Sequence, residues 1–315
     1  MQGGSYYIKR LALSLRLVRW PNLIVVALTQ LLIVEFVIHP ALEGANVAFA
    51  LHRTKLVELI LITLCVTASG YIINDLQDEE IDRINRPGTN PLYVLDRNFA
   101  LWFYGATVLA GWLLTNLFCF RLGEREFLWL YPVAVGILAI YSSYLKKLPL
   151  AGNAIVALYC AGVIALPVAV ERGPLAVLEA ADPAAATHVY RVAYLFMGIA
   201  VLATLLREVV KDLEDVEGDR LSGRQTVPII WGLAASRYVV GALSLGVVAA
   251  LVYPFLAAWP TFDTPILLTW SALLVLAFLA IAYQVQRARA KRDYTLISRE
   301  VKLLLIGGLV LLLLI

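Results

Sequence analysis

LVELILITLCVTASGYIINDLQDEEID, residues 56–82, decides the fold. Its first part, 56–74, carries a single charge, Glu58, and shows no alternation of polar and apolar residues. A membrane-spanning helix needs about 20 predominantly apolar residues, whereas a barrel strand alternates over about 10. The segment therefore reads as a transmembrane helix. It ends abruptly in acid, with Asp75, Asp78, Glu79, Glu80 and Asp82 following directly.

The rest of the chain repeats the apolar half of this pattern. Further apolar segments lie at 22–39, 99–119, 127–145, 152–170, 190–208, 236–257, 264–284 and 302–315. Of the 315 residues, 61% are hydrophobic and 16% charged, against about 45–50% and about 25% in a soluble domain. That balance excludes a soluble domain, and it excludes disorder. The expected fold is all-α, a polytopic membrane protein formed as one domain over residues 1–315. Nine transmembrane helices would make a bundle, with cytoplasmic loops capping a central cavity.

The net charge of +3 is uninformative until it is mapped onto loops. Nine spans put the N-terminus on the same side as loops 75–98, 146–151, 209–235 and 285–301. Twenty of the 26 Lys and Arg residues fall on that side. The opposite side holds Arg53, Lys55, Arg121, Arg125, Arg172 and Arg191. Excess positive charge marks the cytoplasmic face, so the N-terminus and the acidic loops are expected in the cytoplasm and the chain in the plasma membrane. The basic flank Lys9, Arg10, Arg16 and Arg19 precedes a first span with no small-residue cleavage site, which reads as an uncleaved span. Cys65, Cys119 and Cys160 stand singly and read as small buried hydrophobes, not as a disulfide frame or zinc site. His39, His52 and His188 map to the outer side and read as interfacial loop residues. Glu35 and Glu58 lie in the outer halves of their spans and read as acids reaching the outer interface.

Six of the ten aspartates fall in two short runs, Asn74-Asp75-Leu-Gln-Asp78-Glu-Glu-Ile-Asp82 and Lys211-Asp212-Leu-Glu-Asp215-Val-Glu-Gly-Asp219. Both place Asp at i, i+3 and i+7, and on a helix these positions share one face. Like charges at such spacings destabilise a helix by a few tenths of a kcal/mol per pair, and more beside a cavity of low dielectric. Solvation on a cytosolic loop would offset this for one acidic run, but two runs of identical spacing call for more. A hard divalent cation suits them, because Mg²⁺ takes one or two carboxylates together with substrate phosphates. Two facing clusters with Mg²⁺ would form a receptor for a diphosphate, with Asn74 as an added neutral oxygen ligand.

At these residues the sequence resembles the UbiA superfamily of intramembrane prenyltransferases. GYIINDLQDEEIDRINRP (70–87) is similar to the family's first motif, N-D-x-x-D-x-x-x-D. REVVKDLEDVEGDRLSGRQTVPI (207–229) is similar to its second, D-x-x-D-x-x-x-D. VRWPNLIVVALTQ (18–30) and YSSYLKKLPLAGNAIVA (141–157) resemble its first span and the loop between its fourth and fifth spans. The second motif is most similar to that of the branch that prenylates geranylgeranylglyceryl phosphate. One segment departs from the pattern. After Arg86-Pro87 the family commonly continues N-R-P-L-P-S-G, while this chain reads Gly-Thr-Asn-Pro-Leu-Tyr-Val-Leu (88–95), without that basic residue and tight turn.

The resemblance implies Mg²⁺-dependent transfer of a prenyl group from a prenyl diphosphate, geranylgeranyl diphosphate being the branch's own donor, to a lipophilic acceptor. A prenylated glycerol phosphate hydroxyl is the first expectation for the acceptor, and an aromatic ring of quinone-precursor or chlorin type is the second. It implies one Mg²⁺ on Asn74, Asp75, Asp78 and Asp82 and another on Asp212, Asp215 and Asp219. Arg19, Asn22, Lys146 and Lys211 would bind the substrate, and Tyr141 would face the allylic cation through its ring. Partners are then the two substrates and membrane lipid, with no nucleic acid or protein partner implied. Two other classes compete. A divalent-cation transporter would place acids near the bilayer midplane on broken helices, and a structural scaffold would leave the matched acid runs unexplained.

Overall fold

The computed structural model describes residues 2–85, 87–88 and 90–315, with side chains from residue 8 onward. Among these residues the secondary structure is entirely helical, as the continuous apolar runs require. The chain divides into two compact units, Met1–Leu28 with Leu51–Lys146, and Thr29–Ala50 with Lys147–Ile315.

The first unit begins with α1 (Gln2–Leu17) and the start of α2 (Trp20–Gly44). Next come α3 (Arg53–Gln77), the short α4 (Glu79–Asn85), α5 (Arg97–Leu122) and α6 (Leu130–Ser143). Leu17 and Val18 pack with Ala68, Ile72 and Leu76 of α3 and with Leu92, Leu95 and Ala100. Ile72 and Leu76 are one turn apart and fix the rotation of α3. Tyr71, Asn74, Asp75 and Asp78 are thereby held on the rest of its surface. α5 and α6 meet at Gly111, where the Tyr131 hydroxyl donates to the Val108 carbonyl at 2.9 Å. A Cβ added at Gly111 would touch that hydroxyl and lie 2.6 Å from the ring. Gly111→Ala should therefore destabilise the protein by about 3 kcal/mol, the upper end of overpacking costs, because a rigid ring cannot give way. Thermal unfolding in detergent measures this, and in a Tyr131→Ala background, where the ring is gone, Gly111→Ala should add little further loss.

In the second unit, α2 passes through a π-helical stretch, Val34–Ile38. Pro40 follows it; proline lacks an N–H and its ring crowds the carbonyl four residues back, so the turn before it widens. The remaining helices are α7 (Ala151–Val170), α8 (Arg172–Ala181), α9 (Pro183–Leu221), α10 (Gly232–Leu256), α11 (Pro265–Arg287) and α12 (Lys291–Leu314), with one turn at Val227–Ile230 before α10. α9 starts on a cap in which the Asp182 carboxylate accepts from the Ala184 and Ala185 N–H groups at 3.1 and 3.0 Å, with Pro183 in the first turn, where its missing donor costs nothing. At 1.5 Å per residue its 39 residues extend about 58 Å, far more than the roughly 30 Å of a hydrocarbon core. The second acid run rides on the overhanging end.

Eight helices among the described residues are long and apolar enough to span a membrane, so the chain is an integral, multi-pass membrane protein. The nine expected spans become eight of this kind. The segment at 302–315 is the apolar end of α12, whose first half carries Lys291, Arg292, Asp293, Arg299, Glu300 and Lys302. Asp293 caps this helix by accepting from the Arg289 and Ala290 N–H groups at 2.8 and 2.9 Å, which holds its carboxyl below the usual value.

Two of the three histidines are not loop residues. His39 lies inside α2, is 7% exposed and stacks on Phe49 at 4.1 Å. It stands 3.7 Å from Glu35 and 3.9 Å from the fully buried Glu171. His188 lies in α9, half-buried. His52 does precede a helix, as the residue before α3.

Candidate active site

In the first unit, α3 stops at Gln77 and Asp78 caps it with a non-helical backbone (φ −94°, ψ 3°). α4 then resumes, with the Asp82 N–H donating to the Asp78 carbonyl at 2.9 Å. The first acid run is therefore bent at its middle aspartate, unlike the straight helix its spacing suggests. The bend turns Asp82 toward the following loop. There Asn90 donates to Asp82 Oδ2 at 3.0 Å and to the Asp75 carbonyl at 3.4 Å, while its own Oδ1 accepts from the Leu92 N–H at 2.9 Å. Arg86 and Thr89 of that loop lie outside the described residues. The tight turn missing from 88–95 is supplied in another form, by Asn90 and the one-turn 3-10 helix Pro91–Tyr93.

Two cations meet this run. Arg19 donates from Nη2 to Asp75 Oδ1 at 2.7 Å, and its guanidinium lies over the Tyr71 ring at 4.7 Å. Asn22 donates to the Tyr71 hydroxyl at 3.1 Å. Arg19 sits in the turn between α1 and α2 with φ +52°, a left-handed conformation that costs a side-chain-bearing residue about 1–2 kcal/mol. The ion pair and the ring contact oppose that strain and fix where the guanidinium points. Lys146, just beyond α6, donates to Asp78 Oδ1 at 2.7 Å and lies 3.5 Å from Asn74 Oδ1. Asn74 also donates to Asp78 Oδ2 at 3.0 Å. Tyr141 is half-buried on the last turn of α6.

In the second unit the acid run continues α9 without a break, so Asp212, Asp215 and Asp219 do share one helical face, as the spacing predicts. Asn153 near the start of α7 donates to Asp212 Oδ2 at 2.8 Å. Arg224 stands 3.5 Å from Asp219 Oδ1, and Asp219 is 3% exposed. Lys211 is half-buried beside Asp212. Glu214 points elsewhere and accepts from the Thr295 hydroxyl of α12 at 3.0 Å.

In the structure, groups of the chain itself stand against these carboxylates. Asp75 has Arg19, Asp78 has Lys146, Asp82 has Asn90, Asp212 has Asn153 and Asp219 has Arg224. Tyr71, Asn90, Asn153 and Arg224 were not among the expected site residues. Asn153 falls inside the family-like stretch 141–157, and Tyr71 lies one turn before Asp75, so both carried a signal. Asn90 carried none, since it sits in the segment that departs from the family pattern.

The donor set fits Mg²⁺. Asn74 Oδ1 and Asp78 Oδ1 already flank one cationic group, the Lys146 ammonium, and both are hard oxygen donors. Among the described residues no group of three or more His, Cys, Asp or Glu is placed to hold a metal ion by itself. Mg²⁺ does not ask for one, since it completes its shell with substrate oxygens and water.

A model of the UbiA prenyltransferase family matches residues 37–306. The digeranylgeranylglyceryl phosphate synthase of Methanoculleus marisnigri is 34% identical over 209 residues, 65% of this chain and 67% of that protein. The enzyme of the same name from Haloquadratum walsbyi is 35% identical over 217 residues, 66% and 68% of the two chains. Among solved structures, one concerning digeranylgeranylglyceryl phosphate synthase in membranes aligns with a TM-score of 0.64 at 22% identity, over 96% of each chain. A UbiA homologue from Archaeoglobus fulgidus bound to GPP and Mg²⁺ aligns with a TM-score of 0.53 at 17% identity, over 95% of this chain and 99% of that one. At these identities the structures show the shared fold.

Proposed function

The chain belongs to the UbiA prenyltransferase family, and from that premise we propose that it transfers a geranylgeranyl group from geranylgeranyl diphosphate to the hydroxyl of a prenylated glycerol phosphate. It is a membrane-embedded prenyltransferase. The observation that carries the reading of its donor is the pairing of Arg19 with Asp75 and of Lys146 with Asp78, each at 2.7 Å. Oxygens suited to a divalent cation and cations suited to a diphosphate stand on the same few residues. The relatives named digeranylgeranylglyceryl phosphate synthase support the acceptor, and the neighbour bound to GPP and Mg²⁺ supports the donor class and the metal.

Asn74, Asp75, Asp78 and Asp82 would hold one Mg²⁺, and Asp212, Asp215 and Asp219 another. When bound, the metal supplies Lewis-acid stabilisation of the leaving diphosphate. Arg19, Lys146 and Lys211 donate to the diphosphate oxygens, where charge grows as the C–O bond of the donor breaks. Asn22 holds the Tyr71 ring under Arg19 and so steadies that cation. Tyr141 turns its π face to the allylic cation. The acceptor hydroxyl attacks the freed carbon and gives its proton to a carboxylate of the second run. Residues 1–315 are read as one catalytic domain working from the cytoplasmic face of the plasma membrane, a reading that the Lys and Arg majority on these loops supports.

Arg19→Ala should raise KM for the donor by about tenfold or more with a smaller fall in kcat, since a charge-assisted hydrogen bond contributes about 1.5–3 kcal/mol. Steady-state kinetics in detergent measures it, and a KM unchanged from wild type would remove Arg19 from the diphosphate site. The acceptor is tested by supplying geranylgeranyl diphosphate and Mg²⁺ with one acceptor at a time. Product is expected with geranylgeranylglyceryl phosphate. Product only with an aromatic ring acceptor would replace the ether-lipid reading, and divalent-cation flux without any prenyl product would favour a transporter.

A further inference from the structure

Lys146 is more deeply placed than a diphosphate-binding residue at a site mouth needs to be. Its side chain is 7% exposed, and that of its partner Asp78 is 12% exposed. The ammonium lies 2.7 Å from Asp78 Oδ1 and 3.5 Å from Asn74 Oδ1, two of the oxygens assigned to the first Mg²⁺. A lysine on a flexible stem is a compact point charge, well suited to stand where a metal ion will later stand.

We propose that Lys146 is the resident counter-ion of the first acid run and competes with the divalent cation for Asp78 and Asn74. The inference rests on the reading that this run binds a divalent cation. With no metal bound, Lys146 neutralises Asp78, and a carboxylate buried without a partner would be costly. Metal entry must break that pair, and the released ammonium becomes a donor to the incoming diphosphate. The pair thus tunes metal affinity downward in the empty enzyme and couples metal binding to substrate binding, because the displaced lysine needs a new anion. Arg19 does not share this role to the same degree. Its guanidinium is held by the Tyr71 ring as well as by Asp75, and its side chain is 35% exposed.

If Lys146 holds the oxygens about nine-tenths of the time, the apparent metal affinity is about tenfold weaker than the intrinsic one. The test is Mn²⁺ binding to the purified, substrate-free protein in detergent, read as loss of the free-ion EPR signal. Lys146→Met should bind Mn²⁺ about tenfold more tightly than wild type. Lys146→Arg, which keeps the charge, and Lys147→Met, which removes the exposed neighbouring lysine, should stay near wild type. Should Lys146→Met fail to fold, Lys146→Gln carries the same expectation. Unchanged or weaker binding in the Met or Gln variant overturns the proposal, as does equal tightening by Lys147→Met, which would show a general charge effect. Prenyl transfer by the wild-type protein is measured in parallel. Transfer with no tightening sinks this proposal alone, and tightening with no transfer sinks the prenyltransferase reading alone.

Discussion

Asp78→Ala and Asp215→Ala should each lower kcat/KM for prenyl transfer by about a thousandfold or more. Removing a single preorganised donor to a developing charge already costs about 10²–10³ in rate, and a lost metal ligand removes Lewis-acid stabilisation worth several kcal/mol as well. For Asp78 the change has a second consequence. Lys146 stands 2.7 Å from it with a side chain 7% exposed, so alanine strands a buried ammonium and weakens the fold too. Asp78→Asn separates the two effects, because it keeps the size of the side chain and a neutral oxygen while discarding the charge. It should express and fold better than Asp78→Ala and still fail to transfer. Glu80 offers the control. It belongs to the same acidic run but lies outside the i, i+3, i+7 pattern and is exposed. Glu80→Ala should leave turnover within a factor of about two, as surface substitutions away from such features do. Radiolabel transfer in membranes, normalised to protein amount, measures all four variants.

The second large effect lies far along α3 from the acid run. Glu58, in the first turns of α3, is 6% exposed and pairs with Arg121 at the end of α5. Its other oxygen, Oε2, has no hydrogen-bond partner. Arg121→Ala would leave this carboxylate buried and unpaired, and breaking such a pair typically costs about 3–5 kcal/mol. Arg121 is itself 46% exposed, so the loss should fall at the lower end, about 3 kcal/mol. Glu58→Gln in the Arg121→Ala background removes the stranded charge and should restore much of the stability. Thermal unfolding in detergent of the two single variants and the double variant measures the coupling. Purely additive losses would show that the two residues are independent.

Much of the fold was legible because apolar length is a strong signal. The run at 56–74 became α3 and the run at 99–119 became α5, each extended by a few residues. The ninth span was harder, since charged residues up to Lys302 leave α12 only a short apolar end. The acid runs were legible as motifs, but their geometry was not. Identical spacing suggested identical helices, yet the first run bends at Asp78 while the second stays straight. Periodicity says nothing of long-range pairing. For the same reason Arg121, put on the outer side by the charge count, and Glu58, read as outer from its place in its span, carried no hint that they meet. His39 read as a loop residue because the charge count put it on the outer side, and that count cannot show that α2 runs on through it as a widened turn.

If these carboxylates and cations cleave a prenyl diphosphate and pass its hydrocarbon to an acceptor, the fate of radiolabelled geranylgeranyl diphosphate shows it directly, when the donor is given to the purified protein with geranylgeranylglyceryl phosphate, once with Mg²⁺ and once with excess chelator. The label should move into the lipid, with one diphosphate released per transfer, when Mg²⁺ is present, and should stay in the donor when it is chelated. Transfer that persists in chelator, or none in Mg²⁺ with any acceptor, would contradict the account.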